Sequence, residues 1–163
     1  VSEVTANATE MPPADVLRAA NVNACTGLAT DYLNVFNEAL MLLELTPDAP
    51  DMLEDLIHWR APGYADHFER SAFQGRAIVI SAWRALPASR RTAFEAEARD
   101  LERGIQDGVA QLLDLIARNE DFAATAVRAC ARARAGIARL DAMVHGRDSE
   151  PENAQDAIDA LFS

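Results

Sequence analysis

The sequence predicts an all-α protein: a single-domain, up-and-down helical bundle of four long helices with short helices added. Three observations predict it. Apolar side chains recur at three- and four-residue steps over four long segments joined by short turns, with no alternating strand pattern between them. Half of the residues are hydrophobic but only 6% are aromatic, so Leu, Ala, Val and Ile must build the core, a composition that favours helices over a β sandwich. The 163 residues fit one core, and no linker divides them.

Residues 1–13 are small and polar and end in Pro12 and Pro13, which predicts a loose arm ahead of a single domain over 14–163, opening with a short helix at "ADVLRAA". The first long helix is expected over 22–45, where Cys25, Leu28, Ala29, Tyr32, Phe36, Leu40 and Leu43 share one side. Pro47 and Pro50 stop it. Met41, Leu42 and Leu45 make its last turns apolar almost all round. A shorter helix over 50–60 takes Pro50 at its first position, with Asp51, Glu54 and Asp55 at the positive end of its dipole.

After the "APGY" turn, a helix over 65–86 carries Phe68, Ala72, Gly75, Val79, Ala82 and Leu86 on one stripe and Phe73, Ala77 and Ile80 on a second. "TAFE" at 92–95 reads as a capping box, with a start near Ser89 as the alternative. The helix that follows, to about residue 118, turns Phe94, Ala98, Leu101, Ile105, Val109, Leu112 and Ile116 inward. Opposite them Glu95, Arg99, Glu102, Arg103, Gln106 and Asp114 read as a solvated side. Gly104 and Gly108 weaken it by about 1 kcal/mol each and allow close helix approach. The last long helix, over 122–145, buries Ala126, Cys130, Ala133, Ile137, Leu140 and Val144 and ends at Gly146. A second capping box, "SEPE" at 149–152, opens a short amphipathic tail helix.

All 15 basic residues are arginines, set against 26 acidic residues for a net charge of −11. The missing lysine is read as coding bias in a bacterial-like composition. The acidic field disfavours nucleic acid and anionic lipid as partners. No apolar run reaches the roughly 18 residues a membrane helix requires, and the opening residues lack a basic start and an apolar stretch, so the expected location is cytoplasmic. Cys25 and Cys130 both fall on apolar faces and read as buried reduced thiols, with a disulfide between them left open.

The stretch "EDLIHWRAPGYADHFERS" at 54–71 concentrates histidines, a tryptophan and carboxylates around a turn. One reading is a divalent transition-metal site: Asp55 and His58 share a helical face, His67 lies across the turn, and Glu38 or Glu44 and His145 approach from other segments. A di-iron bundle needs two Glu-x-x-His pairs, and the chain has none. The other reading is a capped helix–turn–helix corner, with His58 near a negative helix end and Asp66 and Glu69 near the start of the next helix. Neither cysteine has a histidine at close helical spacing, and no G-x-S-x-G, G-x-G-x-x-G or phosphate-loop lysine occurs, so no catalytic residue is assigned.

Two polar features remain. Asn34, Asn37, Glu38 and Glu44 line one side of the first long helix, where they could hold a polar ligand or a cation. Arg128, Arg132 and Arg139 form a basic ridge that suits an acidic partner. The expected function is a non-catalytic interaction or regulatory module that self-associates as a homo-oligomer, a dimer being the simplest form, through the surplus apolar side chains Met41, Leu45, Phe73 and Ile80. The alternative is a small metal- or ligand-binding bundle using Asp55, His58 and His67.

Overall fold

The computed structural model describes residues 10–147, and every regular element within them is helical. The sole extended pairing among these residues is an isolated bridge between Val22 and Ala29. No helix among them is long and apolar enough to cross a membrane. Most of the expected arm and the whole tail helix over 149–163 lie outside the described residues.

The framework is a hairpin of two long helices, α6 (Ala88–Ala117) and α7 (Ala123–His145). Arg139 pairs with Glu97, and Arg132 approaches Asp107 at 3.9 Å, so α7 runs back along α6. The predicted inward stripe of α6 is buried from Phe94 to Leu112 and meets Ala126, Cys130, Ala133, Leu140 and Val144 of α7. Glycine sets their separation. A Cβ on Gly108 would lie 3.0 Å from the Ala129 methyl, and one on Gly136 would lie 2.6 Å from Leu101 Cδ1. The close approach at Gly108 follows from sequence; Gly136, within an alanine-rich stretch, gave no separate sign. Gly146 stops α7 as expected, in the left-handed region at φ 72°.

α1 (Ala14–Ala19) is the short opening helix expected at "ADVLRAA", whereas α2 (Asn34–Leu45), α3 (Glu54–Ile57), α4 (Tyr64–Arg70) and α5 (Arg76–Ala85) are shorter than their apolar stripes predict. Single 3-10 turns, Thr30–Leu33 and Pro50–Leu53, lead into α2 and α3. Among the described residues two helices are therefore long, where four were expected.

Each difference has a local cause. The helix expected from residue 22 begins late because Asn21 and Gly27 adopt φ of 58° and 72°, and the Asn23 side chain accepts hydrogen bonds from the N–H groups of Cys25 and Thr26. That loop leaves Cys25 exposed, contrary to the inward position assigned to it, while Cys130 is buried and both thiols are free. Burial raises the pKa of the Cys130 thiol, with Arg134 opposing. The helix expected over 65–86 is divided at Ser71, whose hydroxyl donates to Phe68 O and accepts from Phe73 N–H. Gly75 becomes the cap of α5, and Ala72 is exposed. α6 takes the earlier start, directly after Pro87, so Thr92 lies inside the helix and caps nothing.

α2 lies antiparallel to α7: its first turn shares a cleft with Val144 and His145, whereas Glu44 near its end pairs with Arg134. The few aromatics gather at one end of the core, where Tyr32, Phe36, Tyr64, Phe68 and Phe94 are fully buried. Their rings meet mostly edge to face, Tyr64 to Phe94 at 5.5 Å and Tyr32 to Phe36 at 5.5 Å. This end of the core is aromatic, not aliphatic as the composition suggests.

Replacing Gly136 with Val forces branched carbon against Leu101 in the hairpin. Urea denaturation should show a loss of about 1–3 kcal/mol, the usual cost of overpacking; an unchanged midpoint would contradict the spacing described.

Candidate functional site

The stretch 54–71 is a corner fastened to the side of α6 that reads as solvated in the sequence. α3 ends at Ile57 with His58 as its cap, and residues 59–63 belong to no regular element until α4 starts at Tyr64. Irregular backbone against a core carries N–H and C=O groups that need partners. Glu102, which is buried, accepts the Ala61 N–H at 2.7 Å through Oε2. Arg99 Nη1 donates to the same carboxylate oxygen at 2.8 Å and to Ala61 O at 3.1 Å, and its Nη2 donates to Pro62 O at 3.3 Å. Glu95 accepts the Tyr64 N–H at 3.0 Å. In the amide orientation that leaves no donor facing a donor, the Gln106 oxygen accepts from Arg60 Nε and Nη1, both at 3.0 Å.

Two tyrosines fix the corner from the other side. Tyr32 donates to Pro62 O at 2.7 Å, and Tyr64 Oη accepts the Ala29 N–H at 2.8 Å. Burial, reinforced by Glu95 and opposed by Arg99, pushes the Tyr32 pKa up to about 12. Burial also raises that of Tyr64, against the lowering effect of the Ala29 hydrogen bond.

The expected metal ligands are dispersed. Asp55 and His58 are exposed at the end of α3, and Glu38 is exposed on α2. His67 is half-buried and turned to Asp31, with Nε2 3.1 Å from Oδ2. His145 sits beside Asp141 at the end of α7. Among the described residues no three His, Cys, Asp or Glu side chains are placed to hold one metal ion. Beside His67 an open hollow of about 490 Å³ is lined by Arg60, Arg70 and Ser71.

The other expected features have definite places. Asn34 and Asn37 line a cleft of about 570 Å³ at the start of α2. Of the basic ridge, Arg132 and Arg139 are turned to Asp107 and Glu97 of α6, and Arg128 donates to Thr125 Oγ1 at 3.0 Å. Met41 and Leu45 are exposed on α2, whereas Phe73 and Ile80 are half-buried against the core.

Sequence reasoning missed the role of Glu95, Arg99, Glu102 and Gln106. They recur at helical spacing on one side of α6, and that stripe of complementary polar groups was the available signal. No protein-family model matches the chain, and neither the curated proteins nor the solved structures compared with it include a similar one.

Glu102→Ala leaves the buried Ala61 N–H without its acceptor, so stability should fall by about 1–3 kcal/mol in urea titration; an unchanged value would deny the clamp. The fold favours the neutral form of both tyrosines, so the unfolded chain ionises first as pH rises. Their stabilising contribution is complete below the ordinary value of 10.0; that of Tyr32 should be lost between there and about 12, and that of Tyr64 at still higher pH. Tyrosinate absorbance should therefore rise together with loss of helical dichroism; full ionisation at pH 10 with the helices intact would contradict this.

Proposed function

We propose that this chain is a non-catalytic, cytoplasmic interaction module that self-associates as a dimer through the seam between α2 and α7. The observation that carries the reading is the exposure of large apolar side chains on these two helices: Met41 at 54% and Leu45 at 45% on α2, and Val127 at 67% on α7. The Glu44–Arg134 ion pair ties the two faces together. Met41 and Leu45 flank Glu44 on the side of α2 away from the buried Leu43, and Val127 shares the Arg134 side of α7 two turns away.

A two-fold contact requires a surface complementary to itself. The two helices carry these apolar side chains together with Glu38 and Glu44 on one and Arg128 and Arg134 on the other, so the local charge is mixed although the chain carries −11. That overall charge argues against nucleic acid as the partner. Phe73 and Ile80 are already packed against the core and add little to such a contact. Arg132 and Arg139 lie on the α6 side of α7, where acidic neighbours engage them, so the ridge supports an acidic partner less well than it supports the hairpin.

Size-exclusion chromatography with light scattering should give twice the 17.7 kDa chain mass, and Met41→Asp combined with Val127→Asp should return it to one chain. A strict monomer at high concentration would overturn the reading.

A further inference from the structure

The cleft at the start of α2 collects residue types that the rest of the molecule uses sparingly. Of the seven asparagines in the chain, Asn21, Asn23, Asn34 and Asn37 all line it. We propose that it binds one ring of a neutral polyhydroxylated molecule, a saccharide unit.

Three features carry the assignment. The first is hydrogen-bonding character. Each asparagine amide offers a carbonyl acceptor beside an NH₂ donor, and each sugar hydroxyl donates one bond and accepts others, so adjacent amides and hydroxyls satisfy one another without any charge. The side chains of Asn21 and Asn37 make no hydrogen bond among the described residues, and Asn23 spends only its oxygen on the loop, leaving its NH₂ free. Charge points the same way. Arg18 is offset by Asp31 across the cleft, and the Asp31 oxygens are engaged by His67 at 3.1 Å and Asn34 at 3.4 Å, a poor arrangement for either an anion or a metal ion.

The second feature is an aromatic lining. Half-buried Phe73 lines the cleft together with the amides, while Val22, Leu28, Leu33 and Val144 of the same lining belong to the core; a sugar ring has carbon-bound hydrogens on its faces that suit an aromatic surface. A volume of about 570 Å³ falls within the roughly 300–1,000 Å³ of small-molecule sites.

The third is that the wall is held in place before any ligand arrives. Residues 20–29 abandon the helix that their apolar spacing favours. Asn21 takes a left-handed φ of 58°, Asn23 N–H donates to Leu28 O at 2.9 Å, and the buried Thr26 hydroxyl donates to Val144 O at 2.5 Å. A segment that departs from its own local pattern, yet is fixed at every turn, is where a binding site is expected in a folded chain. The cleft lies at the Asn34 end of α2, the Glu44–Arg134 pair at the other, and the proposal does not depend on self-association.

The test is an amide NMR titration of the full chain with glucose, galactose, mannose and N-acetylglucosamine, with inorganic phosphate and glutamate as charged controls. At least one sugar should shift the side-chain amides of Asn21, Asn34 and Asn37 saturably. Asn34→Ala with Asn37→Ala, both exposed positions, should weaken binding at least tenfold while the α6 and α7 resonances stay in place; Leu45→Asp should leave it unchanged. Absence of cleft shifts up to about 50 mM sugar, enough to saturate a Kd of roughly 1 mM, overturns the proposal. So does a response to phosphate or glutamate alone, or sugar binding that survives the double substitution.

Discussion

Glu102 stands on a helix whose apolar side is already occupied by α7, and its carboxylate is withdrawn from water. Such a group must be met by donors or it costs several kcal/mol. It is met by a backbone N–H of the corner and by the guanidinium of Arg99, which then reaches on to two carbonyls of the same corner. α6 is thus covered on two sides by different forces, dispersion and apolar burial toward α7 and charge-assisted hydrogen bonds toward residues 61–64. Residues 61 and 62, which belong to no helix, are held by a helix that supplies their partners.

The rest of that end of the molecule follows from this attachment. With Pro62 and Tyr64 fixed, Tyr32 and Tyr64 close around the aromatic cluster, and α4 is set so that His67 reaches Asp31 at the entry to α2. Asp31 also bonds Asn34, so the corner and the asparagine cleft are connected through two side chains. The histidine of the corner works as a strut between segments, and this is why it is not free to join His58.

Where one force dominates, the sequence is transparent. The inward stripe from Phe94 to Leu112, the alanine-rich face of α7 and the stop at Gly146 all depend on periodicity or on a single residue's backbone freedom, and both can be read locally. The loop over 20–29 is opaque for the opposite reason. Its apolar spacing satisfies a helix, yet Asn23 and Thr26 spend their side chains on backbone groups, one nearby and one on α7, and the second cannot be anticipated without the tertiary structure. Glu102 was misplaced because a charged residue opposite an apolar stripe is ordinarily solvated; only the presence of a non-helical segment lacking partners makes it an interior group. Half of the asparagine site was visible, as Asn34 and Asn37 three apart on one helix, while Asn21 and Asn23 joined it through the loop.

The most direct measurement is native-state hydrogen exchange at the amides of Ala61 and Tyr64, which lie in no helical ladder and owe any protection to Glu102 and Glu95. The clamp predicts that both exchange as slowly as the buried amides of α6, opening only with global unfolding. Exchange at the rate of an open loop, with α6 and α7 still protected, would show that the corner is not anchored there.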